Sequence, residues 1–233
     1  MATKAVFFDW YNTLACYDPP NETLHLAVCH SYGIDLDPQL VRAGIAEADR
    51  YFYEENSHSR VDKRPPSEQV ELFTHYEDIV LKKAGAAVPK GMALPIWMKV
   101  RDMARGSTFV LFDDVLPTLK LLRGRSVLTG LVSNLPQDMT PLLTSLGLLT
   151  ALDYVVSPKE AGVEKPDPGI FRHALTLAKV EPAEAIHVGD QYFVDVVGAR
   201  GAGIRPLLLD RHDISPDADC PRIRTLGEVV AYL

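Results

Sequence analysis

Four apolar residues, Ala5-Val6-Phe7-Phe8, run directly into Asp9, and Thr13 stands four positions further on. A buried parallel strand reads as such an apolar run, and open α/β sheets present ligands at the carboxyl ends of their strands. Asp9 is therefore expected at an active-site rim, where a carboxylate can act as a covalent nucleophile or hold a cation. Three further polar groups follow apolar runs or punctuate loops: Ser133-Asn134, Lys165-Pro166, and Gly189-Asp190 with Asp195 shortly after. Asp9 and Asp190 together offer the hard oxygens that Mg2+ prefers. Lys165 would neutralise charge on the nucleophile or the transferring group, and the Thr13 and Ser133 hydroxyls would hold substrate oxygens. Singly, each has a bland explanation. A lone Asp after a strand is often a turn residue, Ser-Asn an ordinary helix start, and Asp167-Pro168 a capped helix entry. In order, along one sheet edge, they form a much more specific set.

The elements that must position them alternate. After the first strand, residues 16–107 read as a helical insert. Gln39–Glu55 carries Leu40, Ile45, Ala48 and Phe52 on one side, and Ser67–Lys83, with Ser67 as N-cap, carries Val70, Phe73, Ile79 and Val80. Pro89–Ala104 reads as a third helix, and no strand is expected in the insert. Beyond it, strands are expected at Val127–Ser133, Tyr154–Ser157, Ala185–Gly189 and Pro206–Leu209. Helices are expected at Pro117–Leu122, Met139–Leu148, Asp167–Ala178, Val194–Ala202 and Leu226–Leu233. Such alternation implies a parallel sheet covered on both faces. The expected fold is thus α/β: a doubly wound, Rossmann-like core (residues 1–15 and 108–233) interrupted early by a helical cap.

Composition narrows the function classes. A formal charge of −7 lacks the basic footprint that non-specific nucleic-acid binding needs. An anionic small-molecule substrate must then be met by local positive groups. No apolar run approaches the roughly 18 residues of a membrane span. Cys16, Cys29 and Cys220 are widely spaced without a Cys-x-x-Cys, which fits reduced thiols in a cytoplasmic protein. Gly198-x-x-Gly201-x-Gly203 ends a helix instead of opening one, so it is not a dinucleotide fingerprint. The His58, Arg60, Lys63 and Arg64 run reads as a solvated loop more readily than as an anion trap.

The ordered set Asp9-x-x-x-Thr13, Ser133-Asn134, Lys165-Pro166 and Gly189-Asp190-x-x-x-x-Asp195 resembles the haloacid dehalogenase-like (HAD) hydrolase superfamily, in the group with a helical cap after the first motif. The stretches Glu160–Phe171 and His187–Tyr192 resemble its REG-2-like (HDHD-type) subgroup. The resemblance implies Asp9 as nucleophile, Ser133 and its neighbour Asn134 at the transferring group, and Lys165 as the motif lysine. It further implies Mg2+ on Asp9, Asp190 and the Tyr11 carbonyl, with Asp195 in support.

One position departs from that pattern. Phosphatases of the superfamily carry an aspartate two residues after the nucleophile, which protonates the leaving alcohol and then activates water. Here the residue is Tyr11, a type whose ordinary pKa of about 10 makes it a poor base. Tyrosine there resembles the (S)-2-haloacid dehalogenases, whose halide leaving group needs no proton. Those enzymes, however, lack Gly-Asp in the fourth motif and use no metal. They also carry tyrosine where this chain has Phe171, and they need an early cap arginine, for which Arg42 is a loose counterpart. The reading expected first is Mg2+-dependent hydrolysis of a small phosphorylated metabolite. The alternatives are haloacid dehalogenation and a weakly active or non-enzymatic member that binds a ligand or partner.

Overall fold

The computed structural model describes residues 2–135 and 138–233. In chain order the strands and helices are β1 (Ala5–Phe8), β2 (Ala15–Asp18), α1 (Asn21–Ser31), α2 (Pro38–His58), α3 (Pro66–Lys83), α4 (Ala93–Ala104), β3 (Thr108–Leu111), α5 (Val115–Gly124), β4 (Leu128–Val132), α6 (Thr140–Ser145), β5 (Tyr154–Val156), α7 (Pro158–Ala161), α8 (Pro168–Ala178), β6 (Ala185–Gly189), α9 (Gly198–Gly201), β7 (Arg205–Leu209) and β8 (Arg222–Ile223). A π-helical stretch, Tyr192–Val197, precedes α9, and a 3-10 helix, Leu226–Tyr232, follows β8. The chain divides into two compact units, one formed by residues 1–16 and 110–233 and the other by residues 17–109.

The first unit is built on a six-stranded sheet of order β5-β4-β1-β6-β7-β8, and all its pairings are parallel. β1 lies inside this order and is buried along its whole length, which is why it reads as an uninterrupted apolar run. Phe8 pairs with Leu131 of β4 on one side and Val188 of β6 on the other, and Asp9 continues the ladder by donating its N–H to the Val188 carbonyl at 2.9 Å. Asp9 therefore leaves the sheet at its carboxyl edge, between the ends of β4 and β6. The face of α8 bearing Ile170, Phe171, Ala174 and Leu175 packs with Val132, Val156 and Ala199 in one buried cluster. Asp167 caps that helix, accepting the Gly169 N–H at 2.7 Å, as its Asp-Pro entry predicts.

The second unit contains α1–α4. Its interior joins Val41, Ile45 and Ala48 of α2 to Tyr76 and Val80 of α3, and Leu24, Val28 and Cys29 of α1 to Ile96 and Val100 of α4. Most of the expected apolar stripes face this interior: Ile45, Ala48 and Val80 are buried, and Phe52 and Ile79 pack against them; Leu40 and Val70, however, are each 46% exposed, and Val41 and Leu72 are buried instead. The buried face of α3 also includes Tyr76 and Glu77, residue types that sequence patterning assigns to solvent. Each finds a partner inside the unit. Tyr76 donates its hydroxyl proton to Asp49 Oδ1 at 2.7 Å, and Glu77 Oε2 pairs with His25 Nε2 at 3.2 Å.

Other boundaries differ from expectation. α1 and the short strands β2, β3 and β8 are additional, and β2 pairs with β3 in a separate two-stranded sheet. Ser67 is not the cap of α3. That helix enters through Pro65 and Pro66, and no side chain caps it, because Pro65 at the N-cap position carries no side-chain acceptor for the N–H groups of the first turn. The closing helix is 3-10 in type. No described helix is long and apolar enough to cross a membrane.

Candidate active site

The carboxyl edge of the first unit's sheet collects four of the charged side chains expected from sequence. Lys165 Nζ lies 2.5 Å from Asp9 Oδ1 and 2.7 Å from Asp195 Oδ1, so one ammonium bridges two carboxylates. Single ligand atoms of Asp9, Asp190 and Asp195 all lie within 4.8 Å of one another. The Lys165 and Asp195 side chains are each only 1% exposed, and that of Asp9 is 14% exposed, so the nucleophile candidate is the member open to a ligand.

Local structure explains each placement. Asn134, just past β4, brackets the Lys165 backbone: its Oδ1 accepts the Lys165 N–H at 2.7 Å and its Nδ2 donates to the Lys165 carbonyl at 2.9 Å. Sequence reasoning assigned Asn134 to substrate, but its amide is spent on holding the motif lysine. The Lys165–Pro166 peptide is cis. Asp195 sits in the π-helical stretch, an irregularity that recurs at functional sites. Its Oδ2 accepts the Gln191 N–H at 3.0 Å, while its Oδ1 takes both Lys165 and His187 Nε2, the latter at 3.0 Å. With its oxygens so engaged, Asp195 serves the lysine, and Asp9 and Asp190 remain as carboxylates for a cation.

Burial and charge set the protonation states. Burial pushes the Asp9 carboxyl up from 3.8 to about 6, against the pull of Lys165. Burial acts in the same direction on Asp195, but Lys165 and His187 outweigh it and hold that carboxyl well below the usual range. Lys165 is disfavoured as an ammonium by burial, yet Asp195 and Asp9 more than compensate and keep it charged. Burial lowers His187 despite its Asp195 partner, so the ring is neutral at physiological pH. The fit to Mg2+ rests on this donor set: two carboxylates at an edge, beside a lysine whose charge is already balanced.

Thr13 and Ser133 are both buried. Ser133 Oγ accepts the Leu135 N–H at 3.1 Å, which leaves its own proton to donate. Tyr11 is half-buried and forms an isolated parallel bridge with Ala15. Arg42 belongs to the other unit, on α2, where it donates Nε and Nη2 to Glu22 Oε1 at 3.2 and 3.0 Å. The basic run near residue 60 is likewise paired internally, Arg60 with Asp62 and Arg64 with Glu55.

Sequence reasoning missed two contributors. His187 interrupts the apolar strand Ala-Ile-His-Val-Gly, and a polar residue inside a fully buried strand is a readable signal. Arg211 donates to the Thr13 carbonyl at 3.0 Å, forms two hydrogen bonds of 2.7 and 2.9 Å with Asp114, and stacks over Phe112. It thereby ties the loop after β1 to the loop after β7 across a separation that no local pattern reveals.

A family model of haloacid dehalogenase-like hydrolases matches residues 3–203. The chain is 29% identical over 224 residues to the human haloacid dehalogenase-like hydrolase domain-containing protein 3, covering 95% of this chain and 86% of the human one. It is 36% identical over 133 residues to the glyceraldehyde 3-phosphate phosphatase of Methanopyrus kandleri, covering 52% of this chain and 57% of that enzyme. The HAD hydrolase YfnB of Bacillus subtilis, in a magnesium-bound crystal form, shares the fold with a TM-score of 0.64 at 18% identity, over 100% of this chain and 99% of YfnB. With the family model spanning most of its length and the acidic edge in place, this chain belongs to the haloacid dehalogenase-like hydrolase family.

Proposed function

We propose that this hydrolase cleaves a small phosphorylated metabolite with Mg2+, using Asp9 as the nucleophile. The observation that carries the reading is the Asp9–Lys165–Asp195 chain at the sheet edge, with Asp190 close enough to share a cation with Asp9. Phosphatases among the relatives support the same reaction class.

In this reading a carboxylate oxygen of Asp9 attacks phosphorus, the bond to the leaving oxygen breaks, and an aspartyl phosphate forms. Water then attacks phosphorus, releasing inorganic phosphate and the free carboxylate. Lys165 keeps Asp9 ionised and offsets charge on the transferring group, while Asp195 holds Lys165 in place. The Ser133 hydroxyl donates to a phosphate oxygen, and the buried Thr13 supports the loop that carries Asp9. Asp9, Asp190 and the Tyr11 carbonyl would hold Mg2+, which when bound supplies positive charge that lets an anionic substrate approach an anionic nucleophile. In this reading the helical unit is the inserted cap.

A panel of phosphate esters tests this. Turnover is expected to require Mg2+ and to disappear in Asp9→Asn and Asp190→Ala. A preparation inert to every ester but releasing chloride from 2-chloropropionate in excess chelator would overturn it. Tyr11 favours that second reading, metal-independent dehalogenation, but Asp190 has no evident use in it.

A further inference from the structure

β6 contains one polar side chain. Ala185, Ile186, Val188 and Gly189 surround His187, and all five residues are buried, His187 with no exposed surface. A buried imidazole must find a hydrogen-bond partner or lose the hydration it leaves behind. The partner of Nε2 is Asp195 Oδ1, at 3.0 Å, the same oxygen that Lys165 Nζ reaches at 2.7 Å. Nδ1 has no hydrogen-bond partner among the described residues. An ionised carboxylate only accepts, so Nε2 must carry the proton, and a neutral ring then leaves Nδ1 bare. The ring cannot turn away easily, because Phe171 meets it edge-on with centroids 4.9 Å apart and planes at 85°.

We propose that His187 is a positioning residue of this site: its Nε2–H fixes the Asp195 carboxylate, so that Asp195 presents Lys165 to Asp9 in one geometry. Lys165 is held at its head by two carboxylates and at its backbone by Asn134. Asp195 in turn is held by three donors from different segments: Lys165, the Gln191 N–H and His187. His187 is the donor that comes from the sheet, on a strand buried along its whole length. Without it the Asp195 carboxylate is free to rotate toward Lys165 alone and to draw the ammonium away from Asp9. The inference rests on the reading of Asp9 as nucleophile. The hydrogen-bond geometry of His187 does not.

Three variants separate positioning from packing. His187→Gln can place an amide N–H near the position of Nε2. His187→Asn carries a donor too short to reach Asp195. His187→Phe fills the space without a donor. With p-nitrophenyl phosphate and Mg2+, the Phe and Asn variants are expected to lose about tenfold or more in kcat, with KM within about twofold, and Gln is expected to recover most of the loss. Imidazole 15N–1H spectra of the metal-free wild type should show a neutral ring protonated at Nε2. The slowly exchanging Lys165 ammonium signal should persist in the Gln variant and broaden or shift in the Phe variant. Wild-type kcat in a folded Phe variant, equal losses in Gln and Phe, or an Nδ1–H tautomer would overturn the proposal. If the wild type is inert to phosphate esters, the phosphatase reading fails. The tautomer and the Lys165 signal then still decide the role of His187.

Discussion

Gly189 and Asp195 occupy space that a single added carbon would contest: a Cβ at position 189 would lie 2.1 Å from the Asp195 carboxyl carbon and 2.3 Å from its Oδ2. The glycine of the Gly-Asp motif is thus a clearance for the supporting carboxylate. Gly189→Ala must push Asp195 off Lys165 or bend β6. Overpacking of this kind costs about 1–3 kcal/mol. We expect a folded variant with a lowered melting temperature and an activity loss larger than its stability loss explains. Wild-type activity in that variant would show that the position of Asp195 is not critical.

Under the proposed reaction, Tyr11 should govern which leaving groups depart readily. With no carboxyl at position 11 to protonate an alkoxide, the wild type should favour esters whose leaving group departs as a stable anion, such as p-nitrophenolate. Tyr11→Asp should restore acid–base assistance, an effect typically of about 10²–10⁴-fold, and it should help alkyl phosphates more than aryl phosphates. The measurement is the ratio of kcat/KM for the two classes. An unchanged ratio in a folded, Mg2+-binding variant would remove Tyr11 from the argument.

Cation binding should release protons in mild acid. Burial holds the Asp9 carboxyl at about 6 in the metal-free protein, so near that pH about half the molecules carry a proton there. A cation on Asp9 must displace that proton. Calorimetric titration with Mg2+ in buffers of different ionisation enthalpy should detect about half a proton released per ion at pH 6 and almost none at pH 8, with weaker binding at the lower pH. Affinity independent of pH would place the ion away from Asp9.

The sheet strands and the charged residues at their ends were legible because both obey short rules. A buried parallel strand must be apolar, and its end must turn, so Asp9, Ser133 and Asp190 announce themselves. Lys165 was legible only through its Pro neighbour and the family pattern. The role of Asn134 was not, because an amide that grips a backbone 31 residues away looks the same in sequence as one that grips a ligand. Arg211 was hidden for the same reason, its partner Thr13 being 198 residues distant. In the helical unit the stripes on α2 and α3 were legible in Ile45, Ala48 and Val80, all buried, but Leu40 and Val70 face solvent, and Tyr76 and Glu77 take buried positions on α3. Their partners Asp49 and His25 come from other helices, and periodicity counts such residues as surface.

Those same buried polar pairs make the helical unit sensitive to pH. Burial raises the Asp49 carboxyl from 3.8 to about 6, despite the proton donated by Tyr76. A raised folded-state pKa means the protonated form is preferred in the folded unit. Its contribution to stability is full below about pH 4 and is lost as pH rises through 6. His25 works in the same sense: burial opposes its charge, but Glu77 prevails and raises its pKa, so the pair is weakened as the solution becomes alkaline. The unit should therefore melt at lower temperature at pH 8 than at pH 6. Asp49→Asn keeps an acceptor for the Tyr76 hydroxyl while removing the buried charge. It should stabilise the protein by about 1–2 kcal/mol at pH 8, allowing for the partial exposure of Asp49, and by almost nothing at pH 4. Thermal melts of both proteins across that range are the check, and parallel curves would mean that Asp49 titrates as it does in the unfolded chain.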